Sequence, residues 1–496
     1  MTLESDTGEK MALRKEKIKF TLKRFKGFWA QYSKSKQGIL GLAIVIGYVI
    51  IAVIAPYLSP YEPYAPKLKG HYPAGTNPKI ATYLAVPVWY KTLLGMKDLS
   101  ENVFPIKDHA MSTIETITSQ WHWTQTKGAT ITPSPNKGDR GDACIEINFT
   151  ESTTVQVWVT FNYPYKNSPK EFCIHISVFV QDKDKADITV SIAKGEVDTY
   201  TEQVKDVSSG KWTHRFIKSE VASPKLMAQT FPEPGEYSLK IKVTSYGNNT
   251  VRLDNIDLLI YGEAFGLLGT DGNVDRPRDI FTTLIYGTRI SLIVGLLSAA
   301  ISTFLGLLIG LISGYMSGIV DEALMRFADF LLVLPTLPLL IVLIVATSAT
   351  FWNLILIISF LGWMVFARQI RSMVLSLKER TFIEAAKVSG AGTSYIISKH
   401  LMPNVFALVY ITLATSVPGA IITEASLSWL GLFDPSIVSW GRMLNEFTNS
   451  QAMILPFSQY WFWVIPPGLA IMTLAIAFIL IGYALDEILN PRLRKR

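Results

Sequence analysis

Cysteine and histidine are scarce in this chain, two and six of 496 residues. The cysteines, Cys144 and Cys173, are too few to build a cysteine-ligated zinc site, and no Cys or His spacing has the pattern of one. A phosphate-binding P-loop is also missing: Gly210-Lys211-Trp212 lacks both the upstream glycine and the hydroxyl residue that follows the lysine. There is no His-Glu-x-x-His and no recognisable nucleophile–base pair. His122, His175 and His214 fall in β-rich sequence without evident partners and are read as structural. These absences exclude an ATP-hydrolysing chain, a zinc module and a metalloprotease. The expectation is no catalytic residue, no metal and no cofactor.

What the chain has instead is apolar sequence in blocks. It is 49% hydrophobic, with a mean hydropathy of +0.27. Several runs approach the ~20 residues a helix needs to cross a bilayer. The first spans 39–58, and five more are placed at about 288–312, 331–348, 352–371, 405–424 and 461–485. The net charge of +7 is concentrated beside these runs. Ten Lys and Arg lie from Lys10 to Lys36, and the chain ends Arg492, Arg494, Lys495, Arg496. The segment between the fourth and fifth runs carries Arg368, Arg371, Lys378, Arg380, Lys387 and Lys399, whereas 427–460 carries only Arg442. Basic residues mark cytoplasmic flanks. Six crossings and this asymmetry agree on both termini inside, and the charge placement argues against nucleic acid. The N-terminal run is too long for the apolar part of a cleaved signal peptide and reads as a retained membrane helix.

The interval 66–262 is polar and alternating. Val155–Phe161, Ile174–Val180, Tyr237–Val243 and Val251–Leu259 are period-two runs rich in β-branched and aromatic residues, separated by turn signals such as Pro234-Gly235. Alternation is read from about Thr113 onward, as an all-β, sandwich-like domain. Both cysteines fall inside it, as do two glycosylation triplets, at Asn148 and Asn248, which favour an extracytoplasmic location. Cys144 and Cys173 are then either one disulfide or two unpaired buried thiols. Trp121 and Trp123 are two residues apart and are read as sharing a strand face, where they either stack on a sugar ring or pack in the core.

One cytoplasmic segment carries a motif. Glu384-Ala385-Ala386 is followed by Gly390 and later by Pro403. The alanines permit close backbone approach, Gly390 a left-handed turn, and Glu384 a surface charge. Pro403 is read as restarting the chain before the fifth helix. This segment resembles the coupling loop of ABC importer permeases, in which a short helix docks on an ATP-hydrolysing subunit. The likeness extends over 39–62 and 267–494. Ile54-Ala55-Pro56-Tyr57-Leu58, Leu268-Gly269-Thr270-Asp271, Arg278-Asp279, Asp321–Asp329 with Pro335, and Glu424–Leu432 with Ser439-Trp440-Gly441 are similar to the C-type permease of dipeptide and oligopeptide importers. The departures are a longer link between Asp271 and Arg278, Ile479 and Tyr483 where polar residues are expected, and the large insertion itself.

The sequence therefore predicts a polytopic α-helical membrane protein in the plasma membrane of a prokaryote. Its parts are a basic segment 1–38, helix 39–58, the extracytoplasmic β-rich insertion 66–262, a permease domain 280–490 with coupling loop 372–404, and a basic tail 491–496. The resemblance implies a second, B-type permease, two ATP-binding subunits that hold ATP and Mg, and an extracytoplasmic solute-binding protein. It also implies peptides as substrate. Oligosaccharides through the same machinery, or a membrane receptor or channel with an external ligand-binding domain, are the alternatives.

Overall fold

The computed structural model describes residues 26–59, 61–64, 78–93, 95–139, 143–219 and 223–489. Most of the N-terminal basic segment, the tail 491–496 and the first part of the 66–262 interval lie outside the described residues. The chain divides into two units: Met1–Pro60 with Thr283–Asn449 and Trp463–Arg496, and Tyr61–Thr282 with Ser450–Phe462.

The first unit is helical. Ser35 caps α1 (Lys36–Leu58) by accepting the Gly38 amide. α2 (Ile280–Met316) is followed by α3 (Gly318–Val333) and α4 (Thr336–Thr347), then α5 (Phe351–Phe360) and α6 (Met364–Lys378). α7 (Thr381–Val388) is short, and α8 (Met402–Trp429), α9 (Trp440–Thr448) and α10 (Phe457–Leu489) complete the series. Among the described residues, five helical stretches are long and apolar enough to cross a membrane, or six if the bent pair α3–α4 counts as one span. The run read at 331–348 as one helix is in fact broken: α3 and α4 meet at 97°. Pro335 is the cause, because a residue before proline avoids helical geometry, and Leu334 is extended at φ −72°, ψ 137°.

Close approach holds this unit together. A Cβ added to Gly306, Gly310 or Gly314 on α2 would lie 2.8 Å from Trp363 O, 2.6 Å from Ala367 O and 2.8 Å from Val374 Cβ on or beside α6. This is a small-residue stripe at four-residue spacing, the device membrane helices use to pack backbone against backbone. α1 meets α10 in the same way at Gly38 and Gly41, with a hydrogen bond of 2.6 Å between the Tyr48 and Thr473 hydroxyls.

Among its described residues the second unit holds ten strands in two antiparallel sheets. One has the order β1 (His122–Trp123), β4 (Thr153–Tyr163), β9 (Gly235–Ser245), β6 (Ala186–Lys194), β7 (Val197–Gln203). The other has the order β2 (Ala129–Ser134), β3 (Cys144–Phe149), β10 (Asn249–Tyr261), β5 (Glu171–Val180), β8 (Trp212–Lys218). Val155, Val157, Val159 and Phe161 of β4 and Leu239, Ile241 and Val243 of β9 share one core with Ile174, Ile176 and Val178 of β5 and Leu253 of β10. Alternation does not begin at Thr113. That residue caps a seven-residue helix, Ile114–Gln120, by accepting the Thr116 amide.

Entry and exit of this unit run side by side. Leu84 N–H donates to Asp271 O, Val86 N–H to Glu263 O, and Thr270 N–H to Ala85 O, each at 2.9 Å. The Leu268–Asp271 and Arg278-Asp279 motifs supply the clamp. The Arg278 side chain and amide both donate to the Asp271 carboxylate, at 2.7 and 2.9 Å. Asp279 in turn accepts the Thr282 amide at the start of α2.

Candidate functional site

α7 is built to end abruptly. Gly390 N–H donates to Lys387 O (2.9 Å) and Ala391 N–H to Ala386 O (3.0 Å). These two bonds form the Schellman stop, whose turn residue adopts left-handed geometry. Gly390 has φ +80°, so the sequence expectation of a glycine-dependent turn has a definite geometry here.

At 100° per residue, α7 has an inner and an outer side. Ile383 is fully buried. It belongs to a cluster with Leu307 and Leu311 of α2, Phe366, Ile370 and Val374 of α6, and Val405 of α8. Ala386 packs on the same cluster. The outer side carries Phe382, Glu384, Ala385 and Val388, all exposed, with Val388 at 88%. The two alanines thus do different things: Ala386 seats the helix and Ala385 stays open. The result is a short helix riveted by one isoleucine to three long helices, with an apolar stripe and a carboxylate facing outward.

Polar contacts brace it. The Arg371 guanidinium of α6 grips the Asp321 carboxylate of α3 through two hydrogen bonds of 2.6 Å, and the Ser313 hydroxyl of α2 donates to the same carboxylate. Lys378 donates to Ser317 Oγ at 2.8 Å. The Tyr315 ring receives Lys378 Nζ at 5.9 Å and Lys387 Nζ of α7 at 5.7 Å, within cation–π range. Sequence reading cited Asp321 only as a point of resemblance and Arg371 only as a charge. It did not single out Ile383, whose signal is its phase opposite Val388 on a helical wheel.

Pro403 does not restart the chain. Helical geometry is continuous from 393 to 429 through a π-turn at Ile397–Leu401, where the Met402 amide donates to Ile397 O. Proline has no amide to give, and the wider turn absorbs the missing bond.

The other singled-out residues lie in the β unit. Cys144 on β3 and Cys173 on β5 are free and buried, which corrects the disulfide option. β10 runs between them, with Leu253 opposite Ile145 and Leu259 opposite Cys173. Two strand spacings, ~9.6 Å, exceed the ~7 Å Cα separation that a disulfide tolerates. Burial pushes both thiols up to about 12. Trp121 and Trp123 do not form a sugar platform. Trp121 ends the short helix and is 1% exposed in the core, and Trp123 packs against the same core.

His214, Ser177 and Asp139 come together, with Ser177 Oγ 2.8 Å and Asp139 Oδ2 3.7 Å from the same His214 Nδ1. A relay needs the two partners on different ring nitrogens, and Ser177 is fully buried, so the cluster is structural. The described residues hold no group of three or more His, Cys, Asp or Glu placed for a metal ion.

Comparison with known proteins gives the family. Residues 306–495 match the family described as binding-protein-dependent transport system inner membrane component. Residues 23–78 match the N-terminal TM domain of oligopeptide transport permease C. The oligopeptide transport system permease protein OppC of Bacillus subtilis is 36% identical over 230 residues, 46% of this chain and 72% of that protein. The dipeptide transport system permease protein DppC of the same organism is 35% identical over 228 residues, 46% of this chain and 69% of that protein. Among solved structures, the MetNI methionine ABC transporter aligns with 43% of this chain at 18% identity and a TM-score of 0.34, too low to decide the fold. The chain belongs to the binding-protein-dependent permeases of dipeptide and oligopeptide ABC transporters.

Proposed function

We propose that this chain is the C-type permease subunit of an ATP-driven peptide importer, and that α7 is the point at which partner ATPases drive it. The observation that carries this is the two-sided α7: an exposed face of Phe382, Glu384, Ala385 and Val388 backed by a buried Ile383. An open apolar stripe on a soluble-facing turn calls for a partner. Ile383 offers a mechanical path from that partner to α2, α6 and α8. In this reading closure of the ATPase dimer displaces α7, and the helices rock as packed bodies to alternate access. The Asp321–Arg371 pair keeps α3 and α6 moving together.

The proposed topology has six crossings, with α3–α4 as one bent span and both termini inside. The β unit is then an extracytoplasmic sandwich. ATP and its Mg ion belong to the partner subunits. A second permease completes the pore, and a solute-binding protein delivers dipeptides or oligopeptides. Relatives described as oligopeptide, dipeptide and glutathione permeases support peptides as the substrate class.

The test is affinity purification of the tagged chain from native membranes with mass spectrometry, comparing wild type, Val388→Arg and Glu384→Arg. Both positions are exposed, so folding is spared. Wild type should recover two ATPase subunits and a second permease, and the variants should lose the ATPases while retaining the permease. Wild type that recovers no ATPase refutes the coupling role.

A further inference from the structure

The outward face of the sheet β1-β4-β9-β6-β7 holds a cleft that the permease function does not use. Its volume is about 410 Å³, and it is lined by Trp158, Gln156 and Thr160 of β4 and by Glu236, Ser238 and Lys240 of β9, among others. This volume falls within the ~300–1,000 Å³ typical of small-ligand sites.

Trp158 is out of place for a residue that only builds the fold. The inward positions of β4 are Val155, Val157, Val159 and Phe161, and Trp158 lies between them, in phase with the polar residues. It is the only aromatic that β4, β9 and β6 turn outward, and it is half-buried. Its indole stands opposite Lys240 on β9 and opposite His122 on β1, with the His122 ring 5.9 Å away. A flat apolar face ringed by hydroxyl, amide and carboxylate groups is complementary to a pyranose, which has an apolar C–H face and a rim of hydroxyls.

Two observations narrow the ligand. Lys240 is drawn aside to Gly195 O and Asp198 Oδ1, each at 3.4 Å, so its charge is already countered, and Glu236 is exposed. The cleft therefore favours an uncharged ligand over an anion. An extended peptide binds by adding to a free sheet edge, but β4 is paired by β1 and β9, and β9 by β4 and β6. Their backbone groups are taken, so recognition must come from side chains.

We infer that this cleft is a binding site for a neutral, pyranose-based oligosaccharide, with Trp158 as the stacking platform and Gln156, Thr160 and Glu236 as hydrogen-bonding partners. The site is separate from α7 and stands whether or not the coupling role holds.

The test is calorimetric titration of the full chain in nanodiscs with cellohexaose, xylohexaose, mannohexaose and maltohexaose, and with tri-alanine as the peptide control. At least one hexasaccharide should bind. Trp158→Ala should weaken it about tenfold or more, as for a central aromatic anchor. Gln156→Ala and Glu236→Ala remove single hydrogen bonds and should each weaken it about two- to tenfold. Thermal unfolding reports whether each variant is folded, and if Trp158→Ala is not, the two polar variants decide. Binding of no hexasaccharide, binding indifferent to these substitutions in folded protein, or binding of tri-alanine that Trp158→Ala abolishes would each overturn the inference.

Discussion

The two units solve the same packing problem with opposite surfaces. The helical unit turns large aliphatic and aromatic side chains outward: Val342, Val345 and Trp352 are each more than 60% exposed. Its interior depends on small residues, with glycines letting α2 and α6 approach. The strands of the β unit hide most of their large apolar side chains between the two sheets and leave Thr, Ser, Lys and Glu outside. The first arrangement suits hydrocarbon as solvent, where apolar burial gives little drive and close backbone contact must serve. The second suits water, where burial of apolar area is the drive.

The comparison can be broken most severely in the β core. Trp121→Ala should cost about 3–5 kcal/mol and lower the unfolding temperature of the β unit in a calorimetric scan, leaving the helical transition in place. A single merged transition, shifted as a whole, would show that the units are not independent. In the helical unit the damaging change is addition. Gly310→Val should cost about 1–3 kcal/mol by overpacking against Ala367 O, read as loss of detergent-resistant folded protein, while the β transition is unmoved.

A smaller effect is expected at Glu146. Burial would raise its carboxyl, but hydrogen bonds from Lys137, Arg252 and Asn148 outweigh this and hold it at about 2. A depressed carboxylate contributes stability above its unfolded value, ~4.3, and that contribution is lost as pH falls through the folded value. Glu146→Gln should destabilise the β unit by about 1–3 kcal/mol at neutral pH and flatten its acid profile between ~4 and ~2. The smallest effect is on the thiols. Reductant should leave the unfolding temperature unchanged, and native protein should resist maleimide labelling at Cys144 and Cys173, because thiolate is the reactive form.

Much of this architecture is legible from period and charge. The runs Val155–Phe161 and Ile174–Val180 lie within β4 and β5, and the apolar runs fall on helices, that at 331–348 on the bent pair α3–α4. What sequence reading missed depends on partners distant in the chain. Whether Cys144 and Cys173 pair stays open in sequence until β10 is placed between them. Trp121 and Trp123 read as strand neighbours because nothing local outweighs alternation except the Thr113 cap. Trp158 was legible in principle, since two-residue periodicity already sets it apart from its valine neighbours. Pro335 was cited for resemblance, yet its local rule alone foretells the break between α3 and α4. In the Glu-Ala-Ala segment, the motif falls on α7, but which of two adjacent alanines faces inward follows from a cluster drawn from three other helices.

The side-by-side segments at Leu84–Val86 and Glu263–Asp271 make the β unit a cassette. The polypeptide departs and comes back at one stitched seam, so gene-level gain, loss or exchange of the two sheets beyond the stitches leaves a seam to be closed by a loop of another length. Closing a long loop in place of a short one grows merely with the logarithm of length. A lineage could therefore graft a foreign module here, or shed this one, at small cost to chain closure.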